Sequence, residues 1–280
     1  MTEDEALEAL CLDPLALLDV PAEDFVGVAA AAGFRSVSLW VQSPQPDYPA
    51  RCRVESGAMA HRIGRSLKEN GLGVRNLEVF DLTPQTDVSL FRPALELGAE
   101  LGAAGATAIF LHNDDPRRID KFVALCRLAA EYGLRINAEF ISYRSLSSLD
   151  EAVELVRAAD QPNAGIVLDL LHHVRAGGTI EQVRSLDPPL VGHAQICDGP
   201  ATIRPEDRAF ESGSNRLLPG EGAFPVRAFV GALPPTSVGV ELPSKSAAFE
   251  GLTPLERARR MMQAARRVLT TGEATAAVGG

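Results

Sequence analysis

The stretch GIVLDLLHHVRAGG, residues 165–178, sets a buried strand beside groups that can carry chemistry. Five apolar residues in six positions enclose Asp169, and His172 and His173 follow directly. The apolar run predicts a buried strand, Gly165–Asp169. An unpaired carboxylate in a core of low dielectric constant costs on the order of several kcal/mol. Asp169 therefore needs a partner.

The composition limits the classes of partner. The formal net charge is −10, which disfavours nucleic acid because affinity for a polyanion depends on basic side chains. No apolar run approaches the roughly 20 residues of a membrane helix, and the acidic start MTEDEALEAL lacks the basic residues of a targeting signal. We therefore expect a cytoplasmic protein that binds small molecules, with no nucleic acid and no membrane as partner.

The cysteines indicate neither a disulfide framework nor a thiolate zinc site. None is spaced as C-x-x-C, and in a chain that we expect to be cytoplasmic they are predicted to be free and mostly buried thiols. The four are Cys11, Cys52, Cys126 and Cys197.

Short apolar runs alternate along the chain with longer amphipathic segments, a pattern typical of repeated β-α units. Eight runs predict strands: Ala6–Cys11, Ser36–Trp40, Val74–Val79, Ala108–Leu111, Arg135–Phe140, Gly165–Asp169, Val191–Cys197 and Ser237–Glu241. Eight segments predict helices: Ala22–Ala32, Glu55–Asn70, Leu90–Ala104, Pro116–Tyr132, Leu149–Ala159, Thr179–Leu186, Pro225–Leu233 and Thr253–Leu269.

Eight strand-helix pairs in 280 residues predict the α/β class and a single (β/α)₈ TIM barrel over residues 1–272. Residues 273–280 are expected to form a flexible tail. A doubly wound open sheet is the alternative fold. That fold usually shows a glycine-rich phosphate loop after an early strand, and the sequence contains no such motif.

Polar side chains recur at the carboxyl ends of strands five to eight, where a barrel forms its catalytic mouth. These residues are Glu139, Asp169, Gln195 and Glu241. Three carboxylates cannot share one site without a cation, so a divalent metal would explain how Asp169 and the two glutamates are buried. Oxygen ligands favour Mg²⁺ or Mn²⁺, while Zn²⁺ and Co²⁺ remain open. The alternative is that each acid pairs with an arginine on a neighbouring strand.

Five stretches carry a resemblance to a known family: NAEF, LDLLHH, HAQICD, RLLPGEGAFP and GVELPS. They resemble the xylose isomerase-like TIM barrels of the sugar phosphate isomerase/epimerase family. The resemblance implies that Glu139, Asp169, Gln195 and Glu241 are the metal ligands. Many members have a histidine as third ligand, whereas Gln195 is similar to the glutamine of the hydroxypyruvate isomerases and bacterial dehydroshikimate dehydratases.

The resemblance also implies catalytic roles. Glu139 and Glu241 match the glutamates that act as acid and base on opposite faces of the substrate. His172 stands in the D-x-x-H spacing of the family, whose histidine contacts substrate or moves a proton. Alternatively, His172 makes its hydrogen bonds within a loop or caps the next helix, without a catalytic role.

Three residues are candidates for binding substrate. Trp40 and His112, at the ends of strands two and four, would form an apolar wall and a polar corner, although packing explains Trp40 nearly as well. Arg204 lies in the long segment 198–224, and long loops in compact domains tend to be functional. It would hold a hydroxyl, carboxylate or phosphate of the substrate, with an exposed salt bridge as the alternative.

The sequence thus predicts a metal-dependent isomerase or epimerase of a sugar or keto-polyol. The alternative at the same site is a lyase of the 3-dehydroshikimate dehydratase type, acting on a 3-keto cyclic substrate such as a keto-acid. A barrel that binds metal or sugar without catalysis is a further alternative. The related abasic-site endonucleases bind zinc through many histidines and need a basic surface, which disfavours them for a chain with five histidines and net charge −10. Homo-oligomer formation stays open.

Overall fold

The structure is a computed structural model that describes residues 1–42, 51–112, 117–243 and 245–270. In these residues eight parallel strands form a closed barrel and follow one another in chain order, with the last paired to the first. The predicted (β/α)₈ TIM barrel is therefore confirmed, and the open sheet is excluded. The predicted tail 273–280 lies outside the described residues. The strands are β1 Leu10–Leu12, β2 Ser36–Trp40, β3 Gly73–Asp81, β4 Gly105–Ile109, β5 Arg135–Glu139, β6 Ala164–Asp169, β7 Val191–Ile196 and β8 Val238–Val240.

Each predicted strand and helix overlaps an observed one. The structure adds three short helices that the sequence pattern did not predict, and they are α1, α7 and α9 in the following series. The helices of the described residues are α1 Glu3–Glu8, α2 Ala22–Ala32, α3 Gly57–Asn70, α4 Arg92–Glu100, α5 Arg118–Ala130, α6 Leu149–Ala159, α7 Leu170–Arg175, α8 Ile180–Arg184, α9 Arg208–Ser214, α10 Val226–Ala232 and α11 Pro254–Thr270.

The predicted start of the first strand was wrong. Residues 6–8, assigned to a strand, belong to α1, and β1 begins only at Leu10. The physical reason is a capping box: the backbone N–H of Glu5 donates to the Thr2 hydroxyl, and the Glu5 carboxylate accepts from the Thr2 N–H at 2.8 Å. This reciprocal pair stabilises the first helical turn against an extended alternative.

Asp169 ends β6 and also begins α7. Its Oδ1 atom accepts a hydrogen bond of 2.7 Å from the Leu171 N–H, which satisfies one of the free donors at the start of that helix. The strand therefore passes directly into a helix that carries His172 and His173. This local cap fixes the carboxylate at the rim of the barrel.

Glycines make room for polar side chains inside the barrel. A Cβ atom at Gly192 in β7 would lie 1.9 Å from Oδ1 of Asn137 in β5. A Cβ atom at Gly239 in β8 would lie 2.0 Å from Oδ2 of Asp13, which follows β1. Both side chains are fully buried, so the interior below the rim is partly polar and its packing depends on these glycines.

No described helix is long and apolar enough to cross a membrane. The four cysteines are free and buried, as predicted. Burial raises the pKa of the Cys52 and Cys126 thiols to about 12, so these thiols stay protonated at neutral pH.

Candidate metal centre

The structure brings the four predicted ligands together at the rim. Glu139 and Asp169 are the last residues of β5 and β6, Gln195 pairs in register with Asp169, and Glu241 directly follows β8. Ligand atoms of Glu139, Asp169 and His172 lie within 4.8 Å of one another. The Gln195 Nε2 atom donates to Glu241 Oε1 at 3.0 Å. The carboxyl ends of neighbouring parallel strands thus converge on one cluster.

The counter-charge of Asp169 is Arg216, a residue that the sequence analysis did not single out. Its Nη1 atom lies 2.8 Å from Asp169 Oδ2 and 2.8 Å from Glu241 Oε2. The guanidinium is buried, and its Nε donates to the Ser212 carbonyl at 2.9 Å. Arg216 comes from the loop after β7 and not from a neighbouring strand. The available signal was its place in the quoted motif RLLPGEG.

Arg204, the arginine predicted from the same loop, lies elsewhere. Its side chain is 72% exposed, and its Nε donates to Asp207 Oδ2 at 2.7 Å. The structure therefore does not bring Arg204 to the cluster. The two arginines differ because the chain folds inward at Arg216, whereas Arg204 precedes a short 3₁₀ turn, Pro205–Asp207, at the surface.

Burial and mutual repulsion set the protonation of the cluster. Burial raises the pKa of Glu139 well above its usual value, and the Glu241 and Asp169 carboxylates raise it further. Burial raises the pKa of Glu241 to about 8, although Arg216 opposes the shift. For Asp169, Arg216 and His172 outweigh burial and lower the pKa. One carboxylate is thus held ionised while its neighbours retain protons that a cation would displace.

His172 stands beside the carboxylates in its neutral form. Burial lowers its pKa to about 4, although Asp169 opposes the shift. Its Nε2 atom is 4.0 Å from Asp169 Oδ2, its Nδ1 is 3.5 Å from the Ser142 hydroxyl, and its ring meets Tyr143 edge to face. His173 points elsewhere, with Nε2 2.9 Å from the Thr179 carbonyl. Only the first of the two histidines adjoins the cluster.

A second group of acids adjoins the first, and the sequence analysis missed it. Asp13 follows β1 and Glu78 lies in β3, and their carboxylate oxygens and one of Glu241 lie within 4.8 Å of one another. Burial raises the pKa of Glu78 well above its usual value, and Asp13 and Glu241 add to the shift. The available signal was an acid inside or just after an apolar run, as in LCLDP and LEVF.

The donor set fits a divalent cation. Besides the carboxylates of Glu139, Asp169 and Glu241, the Gln195 Oε1 atom is buried without a hydrogen-bond partner among the described residues. An unsatisfied buried carbonyl oxygen costs about 1–3 kcal/mol, and a cation bound at this oxygen would remove that cost. Carboxylate and amide oxygens are ligands that hard and borderline divalent ions accept.

The two remaining predicted substrate residues lie on the other side of the rim. Trp40 ends β2 and is 4% exposed. His112 follows β4, is exposed, and acts electrostatically on the Asp81 carboxylate. Trp40 belongs to a small apolar cluster that is separate from the main core: Leu18, Trp40, Cys52, Val79, Ile109 and Ile141. The rim therefore has an apolar wall next to its acids.

The protein is a closed (β/α)₈ barrel, and carboxylates and an amide from its last four strands lie together at the rim. These two features place it in the class of barrels with a candidate metal site. The chain matches the family model described as xylose isomerase-like TIM barrel over residues 26–268, and it belongs to that family. The suspected family is therefore confirmed.

Curated relatives and a solved structure agree with this assignment. The chain is 29% identical to a 3-dehydroshikimate dehydratase of Pseudomonas aeruginosa over 62% of this chain and 25% of that protein. It is 29% identical to an inosose isomerase of Bacillus subtilis over 41% of each. The matches thus span less than half the length of these relatives. The fold is similar to that of the IOLI protein, crystallised with a bound zinc atom, at a TM-score of 0.73 and 18% identity over 93% of this chain and 97% of that one.

Proposed function

We propose that this protein is a divalent-metal-dependent isomerase or epimerase of a sugar or keto-polyol. Glu139, Asp169, Gln195 and Glu241 would hold the ion, which is Mn²⁺ or Mg²⁺ in this proposal, with Co²⁺ or Zn²⁺ as alternatives. When bound, such an ion would act as a Lewis acid on a substrate carbonyl and so make the adjacent C–H bond more acidic. The proposal rests on the buried, unpartnered Oε1 atom of Gln195, which pairs in register with Asp169 beside the close group of Glu139, Asp169 and His172.

The protein's own contribution is proton transfer by its two glutamates. Glu139 and Glu241 flank the β6–β7 pair that carries Asp169 and Gln195, so their carboxyl groups approach a ligand from different strands. Burial raises the pKa of both carboxyl groups in the metal-free protein. A bound cation would displace their protons, so a glutamate that takes a substrate proton would start as the ionised base. In an epimerase, one glutamate would take the proton and the other would return it on the opposite face.

Other rim residues would orient the substrate. Neutral His172 adjoins the carboxylates and offers a ring nitrogen to a hydroxyl group. Trp40 supplies an apolar face and His112 a polar corner further out. Arg204 would contact substrate only after giving up its hydrogen bond to Asp207. The inosose isomerase relative of Bacillus subtilis supports a polyhydroxylated ketone as the substrate.

A second candidate function is dehydration of a 3-keto cyclic acid, as the name of the Pseudomonas aeruginosa relative suggests. Two guanidinium groups favour it. Arg144 lies over the Tyr143 ring at 5.2 Å, and Arg208 donates to the Ser142 carbonyl at 3.3 Å, beside the ring of His172. The Nε atoms of both arginines are buried without a hydrogen-bond partner among the described residues. A substrate carboxylate would suit these donors.

Incubation of the Mn²⁺-loaded protein with inosose, ketohexoses and 3-dehydroshikimate in D₂O separates the two functions by NMR. Deuterium at a carbon next to the carbonyl, with the skeleton retained, supports the isomerase. An aromatic product supports the dehydratase. The Glu139→Gln and Glu241→Gln variants are the matched controls, because they keep the site's size but remove the acid-base group. Turnover that is unaffected in both variants contradicts the assignment of the proton-transfer groups.

A further inference from the structure

The side-chain amide of Gln195 is held from one side only. Its Nε2 atom lies 3.1 Å from Asp13 Oδ2, 3.0 Å from Glu241 Oε1 and 3.5 Å from Glu78 Oε1. Its Oε1 atom has no hydrogen-bond partner among the described residues. The reverse orientation would set the carbonyl oxygen against these carboxyl oxygens. In the metal-loaded protein, where a cation displaces the protons of the cluster, ionised carboxylates offer no proton to that carbonyl oxygen. The acids therefore select one of the two orientations of the amide.

The Asp13 carboxylate is itself fixed by other strands of the barrel. The Ser38 hydroxyl of β2 donates to its Oδ1, and the missing side chain of Gly239 in β8 leaves space for its Oδ2. The His193 Nε2 atom of β7 lies 3.6 Å from the same Oδ2. Because β1, β2, β7 and β8 all shape this position, Asp13 is a rigid acceptor for the Gln195 amide.

The three acids are also close enough to hold a cation themselves, but the amide occupies their centre. Oxygen atoms of Asp13, Glu78 and Glu241 lie within 4.8 Å of one another. The Gln195 Nε2 atom is within 3.5 Å of an oxygen of each. An NH₂ group surrounded by three acceptors is a satisfied arrangement without an ion. These contacts indicate that the acids hold the amide.

We propose that Asp13 and Glu78 are positioning residues that aim the Gln195 Oε1 atom at the metal. The inference rests on the proposed metal centre. A histidine ligand binds through a ring nitrogen, whereas a glutamine can present either its oxygen or its NH₂ group, and only the oxygen ligates. Partners of a ligand that fix its orientation contribute to metal affinity almost as the ligands do. The acids on β1 and β3 thus allow a glutamine to serve as the third ligand.

The test is Mn²⁺ affinity and stoichiometry by isothermal titration calorimetry on the full chain. We expect Asp13→Asn to weaken binding about 10- to 100-fold and Glu78→Gln to weaken it less, since its contact is longer. Asp81→Asn is the matched control. Asp81 is another buried acid of β3, and its Oδ1 accepts from the Leu111 N–H at 3.2 Å. We expect its substitution to leave Mn²⁺ affinity unchanged.

A Gln195→Leu background separates positioning from charge. If Asp13 acts through the amide, Asp13→Asn will have no further effect on Mn²⁺ affinity once Gln195 is replaced. An equal loss in both backgrounds overturns the proposal, because it would show that the Asp13 charge alone attracts the ion. Two bound ions, one of them lost with Asp13, would equally overturn it. Should Asp13→Asn not fold, Ser38→Ala removes the donor to Asp13 and is expected to weaken Mn²⁺ binding in the same direction.

The wild-type titration distinguishes this inference from the proposed function. A wild-type protein that binds no divalent ion defeats the proposed function, and the positioning role falls with it. A wild-type protein that binds one ion tightly, together with Asp13→Asn and Glu78→Gln proteins of unchanged affinity, defeats the positioning role alone.

Discussion

The two halves of the barrel rim differ in how they use their strand ends. The candidate metal site takes the last residues of β5 and β6, the penultimate residue of β7 and the residue after β8, and Arg216 is the buried cation between Asp169 and Glu241. In the other half, acids come from β1 and β3, and an apolar cluster that includes Trp40 adjoins them. In the proposed function, one half binds an ion, and the other shapes and orients what binds. Substitutions should therefore act on metal binding in the first half and on substrate affinity around Trp40.

The largest expected effect is the loss of the ion in Asp169→Ala. Removing a direct ligand should weaken metal binding by more than about 100-fold, since even outer partners of a ligand contribute 10- to 100-fold. The substitution also leaves Arg216 without one of its two carboxylates. Metal analysis after dialysis measures the outcome. An Asp169→Ala protein with unchanged metal content would contradict a metal site at the ends of β5 to β8.

Arg216→Met tests the contribution of the buried ion pairs of Arg216 to the stability of the metal-free protein. Removing one partner of a buried ion pair costs about 3–5 kcal/mol, so the free energy of unfolding of the metal-free protein should fall by that amount. Added Mn²⁺ should recover part of the loss by neutralising the same acids. Urea denaturation measures both values. Arg204→Met is the matched control from the same loop, and its exposed position predicts a change within about 0.5 kcal/mol.

The pH dependence of the unfolding free energy should also reveal the raised pKa of Glu241, just after β8. The Glu241 carboxyl group has a usual pKa of 4.5, and burial in the folded protein raises its pKa to about 8. Between these values Glu241 binds more protons in the folded chain than in the unfolded chain, and above about pH 7 the buried histidines are neutral in both states, so the unfolding free energy of the metal-free protein should fall as pH rises from about 7 to 8. Saturating Mn²⁺ should reverse the slope because the ion binds the ionised acids. A metal-free protein whose stability rises across this range would contradict the assignment.

The smallest effect is expected on the apolar wall. Trp40→Phe keeps an aromatic ring in the cluster, so Mn²⁺ affinity should match that of the wild type. The smaller ring loses apolar contact with the substrate that is worth about 1 kcal/mol. We therefore expect a KM roughly fivefold higher, with kcat little changed. Steady-state kinetics with the substrate found in D₂O measure this. A large fall in Mn²⁺ affinity would show that the two halves of the rim are not separable.

The sequence was sufficient for the parts of this protein that depend on local pattern. The alternation of apolar runs and amphipathic segments predicted eight strand-helix units, and the polar residues at the ends of strands five to eight include those that lie close together in the structure. The first strand was placed too early because its alternation of apolar residues also suits a capped helix. Short helices such as α7 were missed because six residues carry too little periodicity.

The partners of these residues could not be derived from spacing. Arg216 is separated by 47 positions from Asp169, and Asp13 by 182 positions from Gln195. Two arginines of one loop look alike in sequence, yet only one of them folds into the barrel. The loop's path depends on the closed barrel beneath it, so neither the counter-ion nor the orientation of the amide follows from local sequence.

By itself, the sequence determined the order of strands and helices and which strand ends carry carboxylate and amide groups, since both follow from residue type and period along the chain. Only the tertiary structure decided that Arg216 neutralises Asp169 and that Asp13 and Glu78 hold the Gln195 amide. Barrel closure is the physical reason, because it brings β1 beside β8 and places side chains far apart in sequence within hydrogen-bond distance across a buried interior.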